Sequence, residues 1–258
     1  MGLSIISLAS GSKANCILVR YKNTNLLLDE GLNYNELKRR FYESGVSCDL
    51  DGILITHEHG DHVKGLPTMA SKTDVPMFMH PSTFGVLCSK IGGVNYVPIE
   101  NYESGFSVKE VWVQPFRISH DAEHPLGYSL YCGDDVVTLM TDTGYVSEGM
   151  GKRLLESSII MIESNHDVEM LKKGNYPELL KRRILSKQGH LSNADCADAL
   201  TKICLRNPDL KKIALMHLSE NNNLPLLAYN AAKAACEQGD RADLDPIVAL
   251  QRTPITII

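Results

Sequence analysis

The sequence predicts an α/β protein, and three observations carry that class. Short apolar runs recur along the chain, bounded by Gly, Asn, Asp and Ser, which is the pattern of buried strands. Between them lie stretches with apolar residues one helical turn apart, such as Leu37 and Phe41, the pattern of helices resting on a sheet. Several strand-like runs also end directly in His or Asp, so polar chemistry collects at strand ends. With 258 residues and a hydrophobic fraction of 43%, the chain can bury a substantial core without staples. We expect a single domain over residues 1–258.

Leu3 to Leu8, Cys16 to Val19 and Asn25 to Leu28 read as three strands, a meander suited to an antiparallel start to a sheet. Ser10-Gly11-Ser12-Lys13-Ala14-Asn15 between the first two is a turn of small residues. It lacks the Gly-Lys-Ser/Thr ending of a nucleotide P-loop. Asn35 to Ser44 reads as a helix stopped by Gly45. A strand over Gly52 to Ile55, a helix over Lys64 to Ser71, a strand over Pro76 to Met79 and a helix over Ser82 to Ile91 follow. Val108 to Pro115, Gly127 to Cys132, Val136 to Met140, Ser158 to Ile162 and Lys212 to Met216 read as strands. Helices are predicted over Pro177 to Ser186, over Ala194 to Leu205 with Ser192 or Asn193 as cap, and over Pro225 to Gln238. Ile247 to Leu250 and Ile255 to Ile258 supply terminal strand material. No repeat of fixed period is visible, although the chain has two strand-rich halves.

The densest chemistry is Thr56-His57-Glu58-His59-Gly60-Asp61-His62, between a strand and a helix. His57, His59, Asp61 and His62 are four candidate ligands within six residues. Imidazole and carboxylate are the donors expected for zinc, manganese or iron. One ion cannot readily use all four from so short a loop, but two neighbouring ions can share them. A helix cap would account for Asp61, yet a cap needs no histidines. The seven cysteines are scattered, odd in number and without a Cys-x-x-Cys pair, so they read as small buried residues in a reducing compartment. No signal peptide or membrane-length apolar run is visible, and a cytoplasmic location is expected. The formal charge of −5 is unevenly spread: residues 172–187 hold six cations against Glu178 alone, a net +5 that leaves −10 for the rest. Such a window binds phosphates or is a solvated helix face.

The string His57-x-His59-x-Asp61-His62 resembles the signature of the metallo-β-lactamase superfamily of hydrolases. The resemblance runs from about residue 3 to residue 220, through Asp29, the His57–His62 loop, His120, Asp142 and His217 in that order. It implies an αββα sandwich, two sheets face to face with helices outside, and two divalent metal ions, zinc or manganese with iron possible. In that pattern His57, His59 and His120 hold one ion, and Asp61, His62 and His217 the other. Asp142, in Thr141-Asp142-Thr143-Gly144, bridges them, and Asp29 lies behind the site. His124 is a rival of His120 in the same loop. The histidine at position 59 favours hydrolysis over oxygen chemistry, because the redox branch carries glutamate there.

Ser10-Gly11-Ser12 with Asn15-Cys16, Gly189-His190-Leu191-Ser192 and His217-Leu218-Ser219-Glu220-Asn221-Asn222-Asn223 look like the WalJ/YycJ-type branch. Ala14 departs from it, standing where the branch often has Gly. That branch implies a nuclease, 5′-to-3′ exonuclease-like, cutting DNA or RNA with water activated by the metal pair. Asp61 and His190 are then the catalytic candidates, His190 on the scissile phosphate or the leaving group. Lys181, Arg182 and Arg183 are candidates for flanking phosphates, and His166, expected near the site rim, for a substrate contact. Three rivals stand beside this reading: a small-molecule or cyclic-phosphate phosphodiesterase, a thioesterase or lactamase, and a non-catalytic metal sensor. Substrate, cleavage polarity, metal and oligomeric state are open at this level.

Overall fold

The computed structural model describes residues 2–47 and 49–258. Cys48, one of the cysteines expected to be buried, lies outside the described residues. The chain forms two compact units. The first holds residues 1–115, 122–126 and 250–258, and the second holds 116–121 and 127–249.

In the first unit the strands are β1 (Leu3–Ala9), β2 (Cys16–Tyr21) and β3 (Thr24–Leu28), followed by helix α1 (Tyr34–Glu43) and β4 (Gly52–Leu54). Helices α2 (Gly60–Val63) and α3 (Leu66–Lys72), β5 (Met77–Met79), α4 (Pro81–Ile91) and β6 (Tyr96–Pro98) follow. Then β7 (Phe106–Val108) pairs antiparallel with β8 (Val111–Arg117). The meander β1-β2-β3 is antiparallel as predicted, and β3-β4-β5-β6 continue it in parallel through helical crossovers. Leu26, Leu27, Leu28, Ile53, Leu54 and Ile55 are fully buried, which explains why these runs are continuously apolar rather than alternating. Asn33 caps α1 by accepting the Glu36 N–H, and Leu37 and Phe41 turn inward at the predicted spacing.

The second unit repeats the plan. Strands β9 (Leu126–Cys132) and β10 (Asp135–Met140) form an antiparallel hairpin. Helix α5 (Glu148–Leu155) leads to β11 (Ile159–Glu163), and α6 (Val168–Lys173), α7 (Glu178–Ile184) and α8 (Asn193–Cys204) lead to β12 (Lys212–Met216). Helix α9 (Pro225–Gln238) and β13 (Ile247–Val248) complete it, with β10-β11-β12-β13 all parallel. The last strand, β14 (Ile255–Thr256), belongs to the first unit and pairs with β1. Ser192 is the cap of α8, accepting from the Asp195 N–H.

Five elements were not read from the sequence: α2, α5, α6, β6 and β7. Helix α5 contains Gly149 and Gly151, which lower its propensity, and it is held by its Ser147 cap. Helix α6 begins in a polar stretch capped by Asp167, and β6 is only three residues long. Five of the described cysteines are buried, but Cys88 on α4 is exposed, contrary to the expectation that all are buried. Among the described residues no helix is long and apolar enough to cross a membrane.

Candidate metal centre

In the first unit β4 delivers the His57–His62 loop. Its buried residues carry the backbone out at Ile55, and His59 becomes the residue preceding α2. His57 and His62 are fully buried, whereas His59 and Asp61 are half-buried. The His57 and His62 rings lie 4.1 Å apart, His57 Nε2 is 3.1 Å from His59 Nδ1, and His62 Nε2 is 3.4 Å from Asp61 Oδ2. Asp29 ends the β3 run with φ +61°, a left-handed backbone uncommon outside glycine and often kept at functional sites. Its carboxylate accepts the Thr56 N–H at 2.8 Å and lies 2.7 Å from His62 Nδ1, so it orients that ring with Nε2 outward. Burial pushes the Asp29 carboxyl above its usual range, and His62 opposes the shift.

Asn15 and Thr56 belong to this arrangement; the sequence reading quoted both within motifs but gave neither a role at the site. Asn15 donates its backbone N–H to the Asp61 carbonyl at 2.8 Å and its side-chain amide to Asp61 Oδ2 at 3.0 Å. Thr56 Oγ1 is 2.9 Å from His57 Nδ1 and 2.9 Å from Asp29 Oδ2. The close approach needs glycine at 31, because a Cβ there would stand 1.7 Å from the Asp61 carbonyl oxygen. His124 is stacked on His80 with centroids 3.4 Å apart. His80 also caps α4, accepting from the Ser82 N–H.

In the second unit three neighbouring parallel strands end at the same edge. β10 leads to Asp142, β11 ends in Glu163 and β12 leads to His217. Asp142 and His217 both have φ +57°, so each strand turns sharply at its polar residue. Glu163, fully buried, is the node of the cluster; the sequence places it in a polar run after a strand end, expected near the site rim, without giving it a role. Its Oε1 lies 2.7 Å from His190 Nδ1 and 3.0 Å from His217 Nδ1. Its Oε2 accepts the N–H groups of Thr143 at 2.8 Å and Leu191 at 3.2 Å. Burial alone would raise the Glu163 carboxyl, but the adjacent His190 and the hydrogen bonds from His190 and His217 bring it below the usual range, and it stays ionised. His217 Nε2 and His120 Nε2 stand 3.5 and 3.8 Å from Asp142 Oδ1. His120 Nδ1 faces the Gln188 and Gly189 carbonyls, and burial holds its imidazole below the usual pKa, in the neutral form that binds metals. Of the two loop histidines, then, His120 lies beside Asp142.

Two of the remaining predicted contacts, His166 and Lys181, are placed differently from expectation. His166 is not at a rim: it is 1% exposed, burial lowers its pKa, and neither ring nitrogen has a hydrogen-bond partner. Lys181 is turned inward, its ammonium donating to the Lys172 carbonyl at 2.8 Å and to Glu178 at 3.0 Å, so it ties α7 to the end of α6. The helix periodicity of residues 177–186 put Lys181, Arg182 and Arg183 on one turn without showing which face is covered. Arg182 and Arg183 are exposed, and Arg183 pairs with Asp121.

Asp142, Glu163, His190 and His217 each offer a donor atom within 4.8 Å of the others. Buried imidazole and carboxylate in one cluster are the donor set of zinc, manganese and iron, and this cluster is capable of binding metal. Fold and donor set together define the class: a metal-dependent hydrolase of the metallo-β-lactamase fold. Residues 24–217 match the β-lactamase superfamily domain, and the chain belongs to that family. It is 38% identical to exodeoxyribonuclease YycJ of Bacillus anthracis over 245 residues, 92% of this chain and 90% of the relative. It is 36% identical to exodeoxyribonuclease WalJ of Streptococcus pneumoniae, covering 93% and 90%. The fold is similar to that of the metallo-β-lactamase fold protein YhfI of Bacillus subtilis, with TM-score 0.74, 12% identity, and 99% and 100% of the two chains covered.

Proposed function

We propose that this protein is a metal-dependent phosphodiester hydrolase that degrades nucleic acid as an exodeoxyribonuclease. The observation that carries the reading is His190, gripped through Nδ1 by the ionised Glu163, with that same nitrogen 3.7 Å from Asp142 Oδ1 and its ring stacked 5.2 Å from the His217 ring. The exodeoxyribonuclease relatives, alike over nine tenths of the chain, supply the substrate class. The family match runs through both compact units, which supports one hydrolase domain over residues 1–258.

His57, His59 and His120 would hold one ion, Asp61, His62 and His217 a second, with Asp142 shared. Zinc and manganese both suit these donors. Such ions lower the pKa of water and polarise a phosphoryl oxygen. Asp29 and Glu163 orient His62 and His217 by taking Nδ1, which would leave each Nε2 for the ligand role. His190 carries its proton at Nε2 to the departing oxygen, while Glu163 holds the ring against rotation. Arg182 and Arg183 engage flanking phosphates without reading bases.

A second reading, a small-molecule or cyclic-phosphate phosphodiesterase, is favoured by one observation: Lys181 is committed to Lys172 and Glu178, which thins the basic track. Elemental analysis of protein purified without chelator, with cleavage assays on DNA, RNA and bis(p-nitrophenyl) phosphate, separates the readings. Two ions per chain with DNA cleavage is expected. One ion per chain in both the natural protein and Asp142→Ala would sink the bridged pair, and hydrolysis of the small diester alone would select the second reading.

A further inference from the structure

Beside the Glu163 cluster, in the second unit, lies a cavity of about 840 Å³. One wall is the stretch from Gly144 to Leu155 and the other is α8 with Leu191. Both walls are anchored to the carboxylate that holds His190 and His217: Glu163 Oε2 accepts the N–H of Thr143, next to Gly144, and that of Leu191. The cavity walls are thus tied to the carboxylate that grips His190 at Nδ1. The cavity plays no part in the hydrolytic arrangement above.

Its lining is chemically mixed. Val146, Leu155, Leu191 and Ile203 give an apolar floor. Lys152, Lys202 and Arg206 are matched in number by Glu148, Asp195 and Asp198, so the lining carries no net charge. A channel for a run of phosphates needs an excess of cations, which this cavity lacks. Lys152 and Glu148 pair with each other at 3.0 Å, and the remaining mixture of apolar surface, carboxylates and cations is the chemistry that suits a heteroaromatic ring: apolar floor for its faces, carboxylates for exocyclic amines, cations for ring acceptors. Tyr145, one of the cavity's lining residues, is 41% exposed, and Lys187 Nζ lies over one face of the Tyr145 ring, 5.8 Å from its centroid. An aromatic face beside a cation is the pairing that holds a single-stranded nucleotide, base stacked and phosphate neutralised.

We infer that this cavity is a nucleotide subsite, taking the base of one unpaired nucleotide beside the scissile phosphate, with Tyr145 stacking on it. The inference rests on the nucleic-acid reading for its place in catalysis. It implies that the strand end is unstacked from its duplex before hydrolysis.

The test uses Tyr145→Ala, Tyr145→Phe and Ala199→Phe, the last filling the cavity from α8; none touches the metal ligands or His190. Deoxyadenosine monophosphate binding is measured by calorimetry, and KM and kcat for a DNA oligomer and for an abasic deoxyribose-phosphate oligomer of equal length. Tyr145→Ala and Ala199→Phe should weaken deoxyadenosine monophosphate binding and raise KM for DNA by about fivefold to a hundredfold, the range of one lost base stack. Tyr145→Phe should restore both, and on the abasic oligomer all variants should match the natural protein. Unchanged deoxyadenosine monophosphate binding and KM, with DNA still cut, would overturn the subsite and leave the nuclease reading standing. Equal losses on both oligomers would also overturn it, because no base is then being read. Deoxyadenosine monophosphate binding that the variants abolish, in a protein that cuts neither oligomer, would keep the nucleotide site and remove the nuclease reading.

Discussion

His190 and Glu163 show how a single contact separates a role from a residue type. The histidine was legible in Gly189-His190-Leu191-Ser192, but its partner was not, because Glu163 closes an apolar run and reads as the polar end of a strand. The 2.7 Å contact gives the imidazole a fixed tautomer and orientation. We expect His190→Ala to keep the metal content of the natural protein by elemental analysis and to lose about a hundredfold to ten-thousandfold in DNA cleavage. The loss should shrink for a nitrophenyl leaving group, which departs without a proton. Equal losses on the two leaving groups would assign His190 to phosphate binding. Asp29, Asp142 and His217 share a second residue-scale feature, a left-handed backbone at a strand end. Their side chains were visible in the sequence and their backbone conformation was not, since it is imposed by where the strand must stop.

At the scale of elements, α1 and α7 show two uses of cations on a helix. On α1, hydrogen bonds from Arg39, with help from Arg40, hold the Glu36 carboxyl down at about 2 against an ordinary 4.5. A folded value below the unfolded one contributes stability that is present above 4.5 and is lost as the pH falls through about 2. The Tm difference between the natural protein and Glu36→Gln should therefore be positive at pH 7 and vanish on approach to pH 2. A difference independent of pH would place the effect in packing. On α7, Lys181 and its neighbours looked equivalent by helical spacing, and the structure separates them. Lys181→Met should cost about 1–3 kcal/mol of stability, read as a lower Tm, and leave the salt dependence of DNA cleavage unchanged. Arg182→Glu with Arg183→Glu should weaken DNA cleavage and flatten its salt dependence, while hydrolysis of a small phosphodiester stays within about twofold. Equal damage to both substrates would indicate misfolding.

At the scale of the molecule, each unit has its own apolar core, one built around β1–β5 and α1, the other around β10–β12, α8 and α9. Each also carries buried ionisable groups at strand ends, which are costly until they are paired or ligated. Ions that bind only the folded chain add their binding free energy to stability. Chelation should lower Tm, by several degrees where the free ion stood at about a hundred times its dissociation constant. Restoring zinc or manganese should recover it. A Tm indifferent to chelator and to added metal would count against ions held by these residues.

The sequence alone determined the α/β class, most strands and helices, and the order of the His and Asp residues at strand ends. Those signals are local: apolar runs, helical spacing, and polar side chains that no strand interior would tolerate. Tertiary structure decided which of these groups meet. It set His120 beside Asp142 and stacked His124 on His80. It added Glu163 because three parallel strands finish level, and it turned Lys181 inward because α6 covers that face of α7. Burial, register and the direction of a side chain depend on what lies across the fold, and no spacing along the chain records that.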